Sequence, residues 1–125
     1  MIKQLLLVGL GGGLGSILRY SVSIWIRKYC VSVFPLATFI VNITGCFIIG
    51  LLLGLSTKYQ FINNDLKLLL IVGFCGGYTT FSTFSHENLK LLNAGNYLVP
   101  ISYTVLSVVL GILAVWAGNS LAKIC

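Results

Sequence analysis

Four long apolar runs, at about 5–26, 36–56, 66–92 and 98–121, take up nearly all of this chain. A membrane helix needs about 20 mainly apolar residues. Each run is therefore long enough to cross a bilayer, and the 125 residues leave only short connections between them. Charged residues make up 8% of the chain, whereas a water-facing surface needs roughly 25–35%. The solvent for most of the molecule is lipid, and a soluble globule is excluded. The expected fold is an all-α membrane protein, with residues 1–125 forming a single four-helix transmembrane domain. Four helices from one chain pack without a water-filled lumen, so any conducting or transporting function calls for a second subunit.

The runs differ in what interrupts them. The first has Lys3 before it and Arg27-Lys28 after it, but it is too long for a secretory leader and lacks a small-residue cleavage site, so it reads as retained. The second begins just after Pro35, which suits a first helical turn, and holds Thr38, Asn42 and Thr44 as its strongly polar interior groups. The third would reach about 40 Å as one continuous helix, against a hydrocarbon core of about 30 Å. Its centre, Gly76-Gly77-Tyr78-Thr79-Thr80, is the expected break, because two glycines and two β-branched threonines weaken helix preference there. Irregular backbone at that depth must be buried in protein or line a cavity. The fourth carries Ser102, Tyr103, Thr104 and Ser107 near its start.

With four spans both termini lie on one side. Lys3, Lys58, Lys67 and Lys123 then fall on that side, and Arg27, Lys28 and Lys90 on the other. Basic residues on flanking segments set the orientation of membrane helices, and four against three gives almost no instruction. Dual topology, with an antiparallel partner, follows as an expectation. The net charge of +6 is divided between two faces, which argues against a nucleic-acid surface or a one-sided lipid-binding cluster.

Several motifs reduce to packing. Gly9, Gly11, Gly12, Gly13 and Gly15 resemble a phosphate loop, but no Gly-Lys-Ser/Thr follows. Their four-residue spacing, repeated at Gly50 and Gly54, at Gly73 and Gly77, and at Ser107 and Gly111, suits close helix contacts in all four runs. Cys30, Cys46, Cys75 and Cys125 form no Cys-x-x-Cys pair and have no histidine cluster nearby. His86 beside Glu87 lacks a second partner for proton transfer and reads as a polar residue near the membrane boundary. Asn42-Ile43-Thr44 matches the glycosylation pattern but lies within a span. Arg19 inside the first run either snorkels to the interface or faces a polar cavity. Asn42 lies too deep to snorkel, so its amide either bonds a neighbouring helix or lines a hydrated path.

The densest constellation follows the glycine pair: Thr79-Thr80-Phe81-Ser82-Thr83-Phe84. If helix resumes at about Phe81, then Phe81 and Phe84 share a face, with hydroxyls on adjacent faces. Asn42, Ser82, Thr83 and the positive ring edges of Phe81 and Phe84 offer an anion hydrogen-bond donors and electropositive surface without fixed charge. A small, strongly hydrated anion needs such a dense line of donors. Carbonyls freed at a helix break favour a cation instead, and a fixed cation there would offset the anion's energy.

At these residues the chain resembles the Fluc (CrcB) family of fluoride channels, over nearly its whole length. Three motifs recur in order: Gly12-Gly13-Leu14-Gly15-Ser16-Ile17-Leu18-Arg19-Tyr20, then Thr38-Phe39-Ile40-Val41-Asn42-Ile43-Thr44-Gly45-Cys46-Phe47, then Gly73 through Phe84. The departures are Ser16 and Ala37, where the family commonly has alanine and glycine. The resemblance implies an antiparallel dimer with two fluoride pores and a structural sodium ion (Na+) at the dimer centre. Sodium would be held by the backbone carbonyls of Gly76 and Thr79. The fluoride path would use Asn42, Phe81 and Phe84, with a polar track mapped onto Ser82, Thr83, Tyr103 and Ser107. Arg19 and Glu87 match family positions, and Gly111 stands where some members carry another hydroxyl.

The expected function is a passive fluoride channel in a cell membrane, not an enzyme. Its partners would be membrane lipid and either an identical chain or a paralogue of opposite orientation. A proton-coupled small multidrug transporter has a similar plan but depends on a carboxylate in its first helix, and this first run has no Asp or Glu. A non-conducting scaffold would leave Asn42 packed and the phenylalanines facing lipid.

Overall fold

The computed structural model describes all 125 residues and is entirely helical. Helix α1 covers Ile2–Tyr29 and ends with Arg27 and Lys28 in its last turn, where the helix dipole favours positive charge. Helix α2, Leu36–Lys58, starts at Pro35, whose carbonyl accepts the Phe39 N–H at 3.1 Å. The third span opens at Asn63, whose side chain caps the Leu66 N–H at 3.0 Å. It runs through an α-helical turn Asn64–Lys67, a π-helical stretch Leu68–Cys75 and an α-helical turn Gly76–Tyr78, together called α3. Thr79 (φ −82°, ψ 158°) and Thr80 (φ −150°, ψ 118°) are extended. Helix α4, Phe81–Asn93, follows. It ends in a turn where Gly95 takes φ 81° and the Asn96 N–H returns to the Leu91 carbonyl at 2.9 Å. Helix α5, Leu98–Ile124, completes the chain.

Four segments are long and apolar enough to span a bilayer: α1, α2, residues 64–93 and α5. The protein is a multi-pass membrane protein. Large apolar side chains such as Leu6, Ile17, Trp25, Ile112 and Trp116 are exposed on its outside, as a lipid solvent allows. Lys3 pairs with Asp65 at 2.7 Å, and the Lys58 ammonium donates to the Cys125 carbonyl. Both termini and the α2–α3 connection therefore meet at one end of the bundle.

Two helix pairs dominate the packing: α1 with α3, and α2 with α5. Both are closed by glycine. A Cβ added at Gly15 would lie 2.9 Å from the Tyr78 nitrogen, one at Gly73 2.9 Å from the Val8 carbonyl oxygen, and one at Gly77 2.9 Å from the Gly12 Cα. Across the other pair, a Cβ at Gly50 would meet the Val115 backbone at 2.8 Å, and one at Gly118 the Leu51 nitrogen at 2.7 Å. Backbones touch here because no side chain separates them.

The glycine expectations need correction in three places. Gly9 and Gly13 would meet nothing within 4 Å and lie outside both pairs. Gly118, absent from the four-residue spacing, is a contact glycine, because α5 meets α2 with a seven-residue repeat from Gly111. Within the expected weak segment Gly76 to Thr80, the two glycines and Tyr78 stay helical, and the non-helical residues are the β-branched threonines at its end.

Candidate functional site

The extended backbone at Thr79 and Thr80 exposes peptide groups that a continuous helix would have satisfied, and α2 answers them. Asn42 lies one turn beyond Thr38 on the same face of α2. Its Nδ2 donates to the Thr80 carbonyl at 3.1 Å, and its Oδ1 accepts the Thr80 N–H at 2.8 Å. One amide thus pairs both polar groups of one peptide residue, acting as a strand neighbour would. Thr80 then starts α4, its Oγ1 accepting the Thr83 N–H at 3.2 Å and donating to the Thr83 hydroxyl at 3.1 Å. Upstream, the Thr79 N–H and hydroxyl both return to the Cys75 carbonyl, at 3.0 and 2.9 Å.

Helix α1 supplies the second support. The Arg19 Nε donates to the Gly77 carbonyl at 3.0 Å, and the Ser16 hydroxyl reaches the same oxygen at 3.5 Å. Of the two readings open for Arg19, snorkelling gives way to an inward contact with the C-terminal end of α3, where the dipole favours a cation. These bonds use the carbonyls of Cys75, Gly77 and Thr80 and leave those of Gly76 and Thr79 to other partners. Gly76 is exposed, and a Cβ on it would meet nothing within 4 Å.

Below the threonines, Phe81 and Phe84 lie 5.7 Å apart at 35° between ring planes. Phe84 packs on Tyr103 at 4.8 Å, whereas Phe81 is 78% exposed. Both rings, with Asn42, Gly76 and Ser107, line an open cavity of about 500 Å³ between α2, α3 and α5. The Ser107 hydroxyl there is buried and without a hydrogen-bond partner. Gly111, one turn further, is filled against Cys46, its notional Cβ 3.6 Å from the sulfur. Ser82 is exposed at the start of α4, its hydroxyl 3.4 Å from that of Thr80.

Glu87 and Tyr103 form a separate polar lock. Tyr103 is fully buried, and its hydroxyl donates to Glu87 Oε1 at 2.9 Å, while the Thr38 hydroxyl donates to Oε2 at 2.9 Å. This ties α2, α4 and α5 together one turn from Asn42. Thr38 and Thr80 had no role in the expected site, although Thr80 stood in its densest constellation. For Thr38 the signal is spacing: Thr38 and Asn42 on α2, and Thr83 and Glu87 on α4, are each four apart and form two facing polar stripes.

No group of three or more His, Cys, Asp or Glu side chains comes together that could hold a metal ion. The model of the CrcB-like, camphor-resistance (CrcB) family matches residues 6–119. The chain belongs to the CrcB family. Among the relatives of this CrcB chain, a protein of Azobacteroides pseudotrichonymphae is 47% identical over 98% of both chains. One of Flavobacterium psychrophilum is 48% identical, again over 98% of each. A third, of Phocaeicola vulgatus, is 51% identical over 94% of this CrcB chain and 96% of its own. All three bear the name fluoride-specific ion channel FluC.

Proposed function

We propose that the chain is one subunit of a fluoride-selective channel that passively releases fluoride from the cytoplasm. The observation that carries this reading is the Asn42–Thr80 pair set beside the Phe81 and Phe84 rings. It places amide and hydroxyl donors and aromatic edges along one open cavity with no fixed charge among its lining residues. Such a lining replaces an anion's water without trapping the ion by a full opposite charge. The names borne by its relatives, fluoride-specific ion channel FluC, support it. Fluoride enters cells as neutral hydrogen fluoride and ionises at the more neutral interior, so a passive path suffices to let it leave.

The cavity opens sideways from one subunit, and the exposed Phe81 and Gly76 lie on that open side. A second, antiparallel copy or paralogue would close it and give two pores related by symmetry, which the near-even split of basic residues permits. Where the third span is interrupted, the carbonyls of Gly76 and Thr79 would hold a sodium ion at the dimer centre. They suit it chemically, being hard oxygen donors that Arg19, Ser16 and Asn42 leave free. A bound cation there would supply fixed positive charge near the fluoride path.

Fluoride efflux from liposomes carrying this polypeptide alone tests the reading. We expect rapid fluoride release with chloride excluded; equal rates for the two anions would refute selectivity. Replacing sodium by a large organic cation should abolish release, and full activity without sodium would refute the metal site. Loss of activity unless a second polypeptide is added would make the partner a paralogue.

A further inference from the structure

At the end of the bundle away from the termini, a cleft of about 490 Å³ is lined by Arg27 and Cys30 of α1, the 31–34 connection, and Thr83, His86, Glu87 and Lys90 of α4. Its inner wall is the site already described: Thr83 bonds the Thr80 cap, and Thr80 is paired with Asn42. A smaller cavity of about 190 Å³ shares Arg27 and Thr83 with the cleft and continues to Arg19 and Thr80. The cleft thus leads by polar groups, through Thr83, toward the Asn42–Thr80 pair.

Its charge is unusual for a chain so short of charge. Arg27 and Lys90 set against Glu87 leave one net positive charge in the cleft, and a protonated His86 makes two. Both Glu87 oxygens are taken by Thr38 and Tyr103. Among the groups facing His86, α2 offers nothing ionisable, α5 only Tyr103 through Glu87, and α1 Arg27 and Cys30. Imidazole is the side chain that changes charge between about pH 5 and 8. A cleft of one sign concentrates counter-ions and raises their arrival rate.

We propose that His86 makes this cleft a proton-tuned mouth, admitting fluoride faster when its imidazole is protonated. The inference rests on the channel reading above. In water a unit charge changes the local concentration of an anion about 10 Å away by about twofold, and the effect fades with salt as screening shortens from about 30 Å at 0.01 M to about 3 Å at 1 M.

The test is the unitary fluoride current in planar bilayers, in which neutral hydrogen fluoride carries nothing. At about 10 mM salt, lowering pH from 8 to 5.5 should raise the current about twofold in the unaltered protein. His86→Ala should hold the low value at both pH values, and His86→Lys the high one. Raising salt to 1 M should flatten all three. An equal pH response in His86→Ala, or one that survives 1 M salt, would overturn the inference while leaving the channel reading intact. Absence of any fluoride current in the unaltered protein would instead refute that reading.

Discussion

The third span is two half-spans held by opposite means. Helix α3 is pressed backbone to backbone against α1 through Gly11, Gly15, Gly73 and Gly77. Helix α4 is tied to its neighbours by side-chain hydrogen bonds, Asn42 to the Thr80 backbone at its start and Glu87 to Thr38 and Tyr103 further along, beside the Phe84 ring on Tyr103. The first half is apolar and fits by shape, so its tolerance is set by sterics. The second is polar and fits by hydrogen bonds, so its tolerance is set by donor and acceptor matching. The extended Thr79–Thr80 joint lies between them, and Asn42 and Arg19 hold its two sides. What a substitution does should therefore depend on which half it strikes: assembly fails in α3, conduction in α4.

The largest effect belongs to Gly77→Val. A Cβ alone would come to 2.9 Å of the Gly12 Cα and closer still to the Gly12 carbonyl oxygen, and neither helix backbone can yield without separating. Overpacking of this kind costs about 1–3 kcal/mol and sometimes more. We expect loss of folded protein on size-exclusion chromatography in detergent, and no flux from what remains. A well-folded variant with normal flux would show that the α1–α3 seam is softer than its geometry.

Next comes Asn42→Ala, which strips partners from both the N–H and the carbonyl of Thr80. Each buried polar group left unpaired costs about 1–3 kcal/mol, so thermal stability in detergent should fall clearly, with fluoride flux lost. Asn42→Asp keeps an acceptor for the Thr80 N–H but sets a carboxylate against the Thr80 carbonyl and the anion path. It should spare more stability than Asn42→Ala while remaining closed to fluoride. Equal stability in both variants would mean that the Thr80 N–H, and not its carbonyl, carries little of the joint's energy.

How much of this was legible in the residues follows from the same contrast. The four spans and the terminal side were plain, since apolar length and charge position state them directly. Gly11, Gly15, Gly73 and Gly77 were found by spacing, but so were Gly9 and Gly13, which touch nothing; a four-residue period cannot say which face of a helix meets a neighbour. The weak segment was read as Gly76 to Thr80 on propensity, and the extended backbone is confined to its two β-branched threonines, while Gly76 and Gly77 stay helical with Gly77 against Gly12. The π-helical Leu68–Cys75 carried no signal, because an apolar run looks the same at any helical pitch. Asn42 and Arg19 stood out as polar residues at depth, but their targets are backbone groups, which have no letter in a sequence.

Phe81→Ile separates conduction from stability. The Phe81 ring is 78% exposed, and its aromatic neighbour in the chain is Phe84. Surface changes of this kind stay within about 0.5 kcal/mol, yet the isoleucine has no positive ring edge to meet an anion. Flux should fall to background with the melting transition unmoved. Phe84→Ile, by contrast, removes a ring packed at 4.8 Å on Tyr103 and should lower stability as well as flux. If both variants lowered stability equally, Phe81 would have to be packed by a partner subunit.

The smallest effect is also the sharpest for the outer face of α1. Gly13 lies between Gly12 and Leu14 in a continuous helix, and a methyl group there would meet nothing within 4 Å. A helical glycine with open space around it is destabilising by roughly 0.5–1 kcal/mol relative to alanine, through backbone entropy alone. Gly13→Ala should therefore raise the melting temperature slightly and leave subunit association and fluoride flux as they were. The same substitution at Gly15, two residues away, would drive a Cβ to 2.9 Å of the Tyr78 nitrogen and should do the opposite. The paired variants differ by the same single methyl group, so opposite signs would isolate contact from propensity. If Gly13→Ala instead separated the subunits, the outer face of α1 would be a dimer contact, and its open glycines would be serving a second chain.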